Sequence, residues 1–217
     1  MANLKIAILG LDRVGTSVGL ALKRYMADGG KHHFEMVGYD YTDANGKTAQ
    51  KMEAVERTVR RPAEAVVGAD IVLMNLSYDE VKDAYELIAP DLRDGVVLLD
   101  TSALKRPSIE WAKTLLSDEH HLVGMTPILN PKYIYEPKNS SSEAAEDLFD
   151  ESTIILTPGV GAIKEAVDLA FNFAQIIGSK PRFLDPLEHD LLLAQTDGLP
   201  KLLGVTLFYN LMAQDNW

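Results

Sequence analysis

The sequence has 217 residues, 47% of them hydrophobic and 24% charged, which suits one large domain or a domain and a half with ample core. A formal charge of −11 argues against nucleic acid or an anionic membrane as the main partner, since each needs a cationic face. The absence of cysteine excludes disulfides, thiol nucleophiles and thiolate metal sites. It fits a cytoplasmic protein. No run approaches the ~20 apolar residues of a membrane span, and the N-terminus is expected to enter the first strand directly, with no room for a signal peptide.

Residues 4–9, apolar apart from Lys5 near the start, are too short for a buried helix and read as a buried parallel strand closed by Gly10. Val14, Val18, Ala21, Leu22 and Tyr25 then recur on one helical stripe. Strand, glycine turn and helix in this order begin a dinucleotide site, because the first amides of the helix are unpaired donors at the positive end of its dipole. The fingerprint G-x-G-x-x-G is incomplete here. The chain has Gly10-Leu11-Asp12-Arg13-Val14-Gly15, with aspartate where the second glycine admits a pyrophosphate. Asp12 repels phosphate unless it turns outward, while Arg13 attracts it. The alternative is that Gly10 and Gly15 serve only the tight turn and helix packing.

A polar insertion at 27–33 leads to a second strand at 34–39, ending at Asp40. An acidic residue there accepts hydrogen bonds from ribose hydroxyls and repels a 2′-phosphate, so Asp40 favours NAD over NADP, with NADP possible. Its other reading is an aspartate that merely ends a strand. His32 and His33 read as surface residues of the insertion, with no third ligand at metal spacing. A helix is expected at 44–54, a short strand at 57–59, a brief helix at 62–67 and a strand at 71–76. Ser77 with Glu80 three residues on forms a capping box for a helix burying Val81, Ala84, Tyr85 and Ile88. Asn75, Leu76 and Ser77 leave the carboxyl end of a central strand, and with Thr101 they are expected to wall the cofactor.

Further strands are expected at 96–99, 122–125, 153–156 and 182–184, with a helix starting near Pro107 and another striped by Ile163, Ala166, Val167, Ala170, Phe171, Ala174 and Ile177. Residues 132–146, rich in Pro, Ser, Asn and charge, read as a mobile loop or lid. The eight strands alternating with helices predict an α/β fold, a doubly wound, mostly parallel Rossmann-like sheet over 1–184. From Pro186 the pattern is helical only. Leu187, Leu191 and Ala194 share a stripe, and 199–212 is apolar around most of its circumference. So short a segment cannot build its own core, and 185–217 is expected to be a helical dimerisation segment, cut from a longer helical domain, that pairs two copies.

Taken together, these motifs resemble the prephenate and arogenate dehydrogenase family of tyrosine biosynthesis. The likeness runs through Val14-Gly15-Thr16-Ser17, Gly38-Tyr39-Asp40, Ala69-Asp70-Ile71-Val72, Asp100-Thr101-Ser102-Ala103-Leu104-Lys105, Leu148-Phe149 and Ile155-Leu156-Thr157-Pro158. It continues in Glu188-His189-Asp190, 192–194 and Leu199-Pro200. The resemblance implies a Rossmann-like domain, NAD(P), a homodimer and a small cyclohexadienol substrate, oxidised by hydride transfer with loss of carbon dioxide. The departures lie where that chemistry happens. Thr126 stands where the family has the histidine of a His-Pro motif, Ala103 where it has a serine, and Gly198 and Lys201 where histidines flank Leu-Pro.

Threonine donates a hydrogen bond but is no base near neutral pH. Candidate substrate-site residues are therefore Thr126, Ser102, Lys105 and Lys201, the lysines as cations for a carboxylate or as an acid or base if desolvated. The other readings are a helix-surface lysine at 105, a solvated one at 201 and a backbone-capping threonine at 126. His189 and Asp190 are expected to hydrogen-bond at the domain junction rather than bind metal. The function expected is an NAD(P)-dependent oxidoreductase of prephenate dehydrogenase type with an altered substrate. The alternatives are a catalytically silent cofactor-binding or regulatory homologue, and a scaffold that binds nothing.

Overall fold

The computed structural model describes residues 3–133, 135–136, 138–159 and 161–213. Asn3–Leu9 (β1) lies third from one edge of an eight-stranded sheet, hydrogen-bonded on one side to His33–Tyr39 (β2) and on the other to Ile71–Met74 (β4). Arg57–Thr58 (β3) forms the edge beyond β2. Val97–Asp100 (β5), His121–Ile128 (β6), Thr153–Pro158 (β7) and Lys180–Phe183 (β8) extend the sheet beyond β4. All pairs are parallel except β6 with β7.

The helices between strands are Arg13–Ala27 (α1), Asp43–Lys51 (α2), Pro62–Val66 (α3), Tyr78–Ile88 (α4), Lys105–Leu115 (α5) and Lys164–Ile176 (α6). They fall on both faces. Ile6 and Ile8 of β1 pack with the buried faces of α1 and α6, while Ala7 and Leu9 pack on the other face with α3, α4 and α5. This alternation is the period-2 consequence of a strand buried on both sides, and it explains why residues 6–9 are apolar without a break. After β1 the chain builds β2 and β3 on one side and then crosses to β4 on the other. The crevice between the carboxyl ends of β1 and β4 is the topological switch point, where ligands of such sheets lie.

Several boundaries differ from expectation. β4 stops at Met74, because Asn75 keeps one ladder bond, N–H to Leu9 O at 2.8 Å, while its side chain turns to the glycine loop. β6 runs on to Ile128, carried by antiparallel pairing with Thr153. Helix α2 ends at Lys51, just before Glu53 at φ 61. Helix α5 starts two residues before Pro107, whose missing N–H costs nothing in a first turn. Of residues 132–146, expected as a mobile loop or lid, 134 and 137 lie outside the described residues, and the described ones carry single turns at Pro131–Tyr133 and Ser141–Glu143.

Pro186–Leu193 (α7) continues through a wide turn, Ala194–Gly198, into Leu199–Met212 (α8). The wide turn lets the helix pass Pro200, which has no N–H to give and whose ring crowds the preceding turn. The apolar stripe of α7 faces out, as a segment without its own core should, with Leu187 and Leu191 about half exposed. His189 is instead the buried residue of this helix. Helix α8 buries none of its side chains in this chain.

Candidate functional site

The turn after β1 is shaped by two close approaches. Gly10 has φ +95°, and a Cβ there would lie 1.8 Å from Asn75 O; a Cβ on Gly15 would lie 1.9 Å from Gly10 O. Both glycines are therefore required by the local backbone. Leu11 is fully buried against Gly38, and its N–H donates to Asp40 Oδ2 at 2.7 Å, tying the end of β2 to the turn. Asp40 also accepts from Thr42 N–H at 2.7 Å and contacts the Asn45 amide. Thr101 donates to Asn75 Oδ1 at 3.0 Å, and the Asn75 amide donates to Gly10 O at 3.2 Å. The expected cofactor residues Gly10, Leu11, Asp40, Asn75 and Thr101 thus form one linked rim at the switch point. Leu76 packs on the apolar core, and Ser77 caps α4 with Glu80 as its sequence predicts.

Asp12 turns inward rather than outward. It is the N-cap of α1, accepting from Val14 N–H at 2.8 Å and Gly15 N–H at 3.1 Å. Its carboxylate also accepts from the Asn75 amide and the Asn139 amide, each at 2.7 Å. The start of α1 thereby holds an anion, which is the property a pyrophosphate cradle needs. Arg13 is buried, at 3% exposure, with Nη2 2.7 Å from Glu136 Oε2 and its guanidinium 5.0 Å from the Tyr133 ring centroid. Among the described residues its Nε has no hydrogen-bond partner.

The second half of the rim lies on β5, β6 and α7. Ser102 is buried and donates to Asp100 Oδ2 at 2.7 Å, so its hydroxyl is turned into the protein. Ala103, at the family serine's place, is exposed. Lys105 is 1% exposed, which overturns the helix-surface reading. Its Nζ donates to Asp100 O at 2.9 Å, Ser102 O at 2.6 Å and Met125 O at 3.4 Å. All three ammonium hydrogens are satisfied by backbone, leaving none for a substrate carboxylate. Burial pushes its pKa below the usual lysine value, partly offset by Asp100 and Asp190. Gly124 makes the arrangement possible, as a Cβ there would lie 2.9 Å from Lys105 Cδ. Lys201 is 72% exposed and paired with Asp197 at 2.7 Å, the solvated reading.

Thr126 is half-buried near the end of β6, its Oγ1 2.9 Å from His189 Nε2. His189 is 3% exposed, and its Nδ1 is 3.0 Å from Asp190 Oδ1. The carboxylate fixes the ring proton on Nδ1, so Nε2 accepts from the threonine hydroxyl. Asp190 in turn accepts the amides of Lys105 at 2.8 Å and Arg106 at 3.0 Å, capping α5. Burial pushes the Asp190 carboxyl up, but those two amides and the His189 ring outweigh it and hold it below the usual value. An imidazole thus stands one hydrogen bond behind Thr126. The sequence places His189 and Asp190 at the junction but offers no signal for the partner on β6, which is 63 residues away. Among the described residues no group of three or more His, Asp or Glu side chains could hold a metal.

The family model described as prephenate dehydrogenase, nucleotide-binding domain, matches residues 18–181, beginning just after the glycine turn. The chain is 25% identical over 202 residues to the cyclohexadienyl dehydrogenase of Zymomonas mobilis, covering 93% of this chain and 65% of that protein. It is 23% identical over 214 residues to the prephenate dehydrogenase of Bacillus subtilis, covering 97% of this chain and 54% of that protein. The chain thus spans between about half and two thirds of these relatives. Its fold matches the prephenate dehydrogenase of Aquifex aeolicus, solved with hydroxyphenyl propionate and NAD+, at a TM-score of 0.81 and 18% identity over 96% of this chain and 69% of that one. The chain belongs to the prephenate dehydrogenase family, and the part that shows it is that family's nucleotide-binding domain.

Proposed function

We propose that the chain is a cytoplasmic NAD(P)-dependent dehydrogenase of prephenate type, acting on a small cyclohexadienol or a close analogue in the manner of tyrosine biosynthesis. The family's nucleotide-binding domain, with an anion-holding turn at its switch point and Asp40 on the rim, is the observation that carries this reading. The NAD+ bound to the Aquifex relative supports NAD as the cofactor, with NADP as the second choice. Gly10, Leu11, Asp12, Arg13, Val14 and Gly15 form the phosphate side, and Asp40 with Asn75, Leu76, Ser77 and Thr101 the adenosine and nicotinamide walls. The bound dinucleotide supplies the hydride acceptor.

At the other end of the rim Thr126 contacts the substrate hydroxyl and passes its own proton to His189 Nε2 as it takes the substrate's. The carbinol hydrogen leaves as hydride, the carboxylate leaves as carbon dioxide, and the proton returns to the product oxygen. Lys105 and Ser102 act by holding the loop from β5 against β6. Helices α7 and α8 pair two copies, and the exposed apolar residues of α8 support this dimer. The test is reduction of NAD and NADP by the purified chain with prephenate and with arogenate. Cofactor binding without turnover of either would favour the silent homologue, which the replacement of the family histidine by Thr126 supports.

A further inference from the structure

Residues 139–145 lie across the start of α1 and reach α2. The Asn139 carbonyl accepts Arg13 N–H at 3.2 Å, and its amide donates to Asp12 Oδ2 at 2.7 Å. Ala145 N–H donates to Ser17 Oγ at 3.0 Å. Ser141, itself buried, donates to Asn45 Oδ1 at 3.2 Å, and Asn45 is the residue whose amide touches Asp40. One short segment therefore bonds to both the phosphate side and the ribose side of the rim. The amides at this turn are already taken: Leu11 by Asp40, Arg13 by Asn139, and Val14 and Gly15 by Asp12.

A carboxylate and a pyrophosphate cannot share these donors, because both are anions and each amide has one hydrogen. We propose that residues 139–145 are a strap that closes the dinucleotide site on an internal anion, Asp12, and that cofactor binding is an exchange. The strap lifts, Asp12 leaves the start of α1, and Arg13 moves from Glu136 to the pyrophosphate. This rests on the nucleotide-binding reading above. The exchange replaces one anion by another at the helix start, so the helix dipole favours either state. Arg13 suits the role because it is buried and its Nε is unpartnered among the described residues, so a phosphate oxygen supplies it an acceptor. The closed population reduces apparent affinity by the fraction of molecules that are open.

The test compares NAD binding by the full chain, Asn139→Ala and Asp12→Gly, with hydrogen exchange of residues 139–145 followed with and without NAD. Glycine restores the fingerprint and is tolerated at an N-cap, and Asn139→Ala leaves the cap itself intact. The expected result is binding roughly tenfold tighter in each variant, the scale of one charge-assisted hydrogen bond, with faster exchange at Ala145 when NAD is bound to the unaltered chain. Unchanged affinity in both variants and unchanged exchange in the strap would overturn the exchange while leaving nucleotide binding in place. No binding by any of the three folded proteins would overturn the nucleotide reading and the strap with it.

Discussion

The Thr126 hydroxyl lies 2.9 Å from Nε2 of His189, joining the end of β6 to a helix 63 residues further along the chain. Behind the ring, Asp190 is held by two amides of α5, so the imidazole is fixed in tautomer and direction by groups that do not depend on ligand. A threonine that is no base by itself is thereby coupled to one.

Removing either end of this pair is expected to lower kcat by roughly a hundredfold, the low end for general acid–base catalysis, with little change in cofactor affinity. Thr126→Val keeps shape but loses the hydroxyl, His189→Gln keeps a hydrogen-bonding side chain but loses the base, and Thr126→Ser retains activity. Steady-state kinetics with prephenate or arogenate checks this. Equal kcat for Thr126→Val and the unaltered chain would remove the relay.

Asp190 links stability to acid. Its carboxyl is held below the ordinary value by the amides of Lys105 and Arg106 and by His189, against the upward push of burial. A depressed carboxyl contributes stability that is present above its unfolded pKa, about 3.9, and lost as pH falls through the folded value. Thermal melts should therefore drop below about pH 4 more steeply in the unaltered chain than in Asp190→Asn. At neutral pH that variant is expected to lose about 1 kcal/mol, the usual scale of a helix cap.

Lys105 is expected to act through structure. Lys105→Met keeps the stem over Gly124 but leaves the carbonyls of Asp100, Ser102 and Met125 without their donor. Urea unfolding should show a loss of about 2 kcal/mol, given the cost of unpaired buried acceptors set against the desolvation relieved. A variant as stable as the parent with a raised substrate KM would instead assign Lys105 to the substrate.

Helix α8 presents Leu199, Leu202, Leu203, Val205, Leu207, Phe208 and Tyr209 at 51–74% exposure. The proposed dimer would cover this apolar surface with a second copy. Sedimentation should report a dimer, and Phe208→Glu a monomer whose secondary structure by circular dichroism is unchanged. A monomeric parent would contradict the dimer.

Much of the sheet was legible because β1, β2, β4 and β5 are short, mostly apolar runs ended by Gly10, Asp40, Asn75 and Asp100. The reversed direction of β7 was legible in principle as well. Parallel strands need a crossover of a dozen or more residues, usually a helix, and the chain between β6 and β7 has no helical stripe. The orientation of Asp12 was not legible, since two of its four donors come from Asn75 and Asn139, 63 and 127 residues away. Lys105 misled for a related reason. Its spacing puts it in a helix, but its burial depends on the gap at Gly124 on another strand. The stripe of Leu187 and Leu191 was legible as apolar and as lacking a core of its own, and both residues are about half exposed.

The central claim, that the glycine turn at the β1–β4 switch point receives a dinucleotide, is tested most directly by calorimetric titration with NAD and NADP. Saturable binding of NAD, with NADP weaker because Asp40 opposes a 2′-phosphate, is the predicted result. Absence of binding of either cofactor, by the folded chain and by Asp12→Gly alike, would contradict it and leave the turn a feature of folding alone.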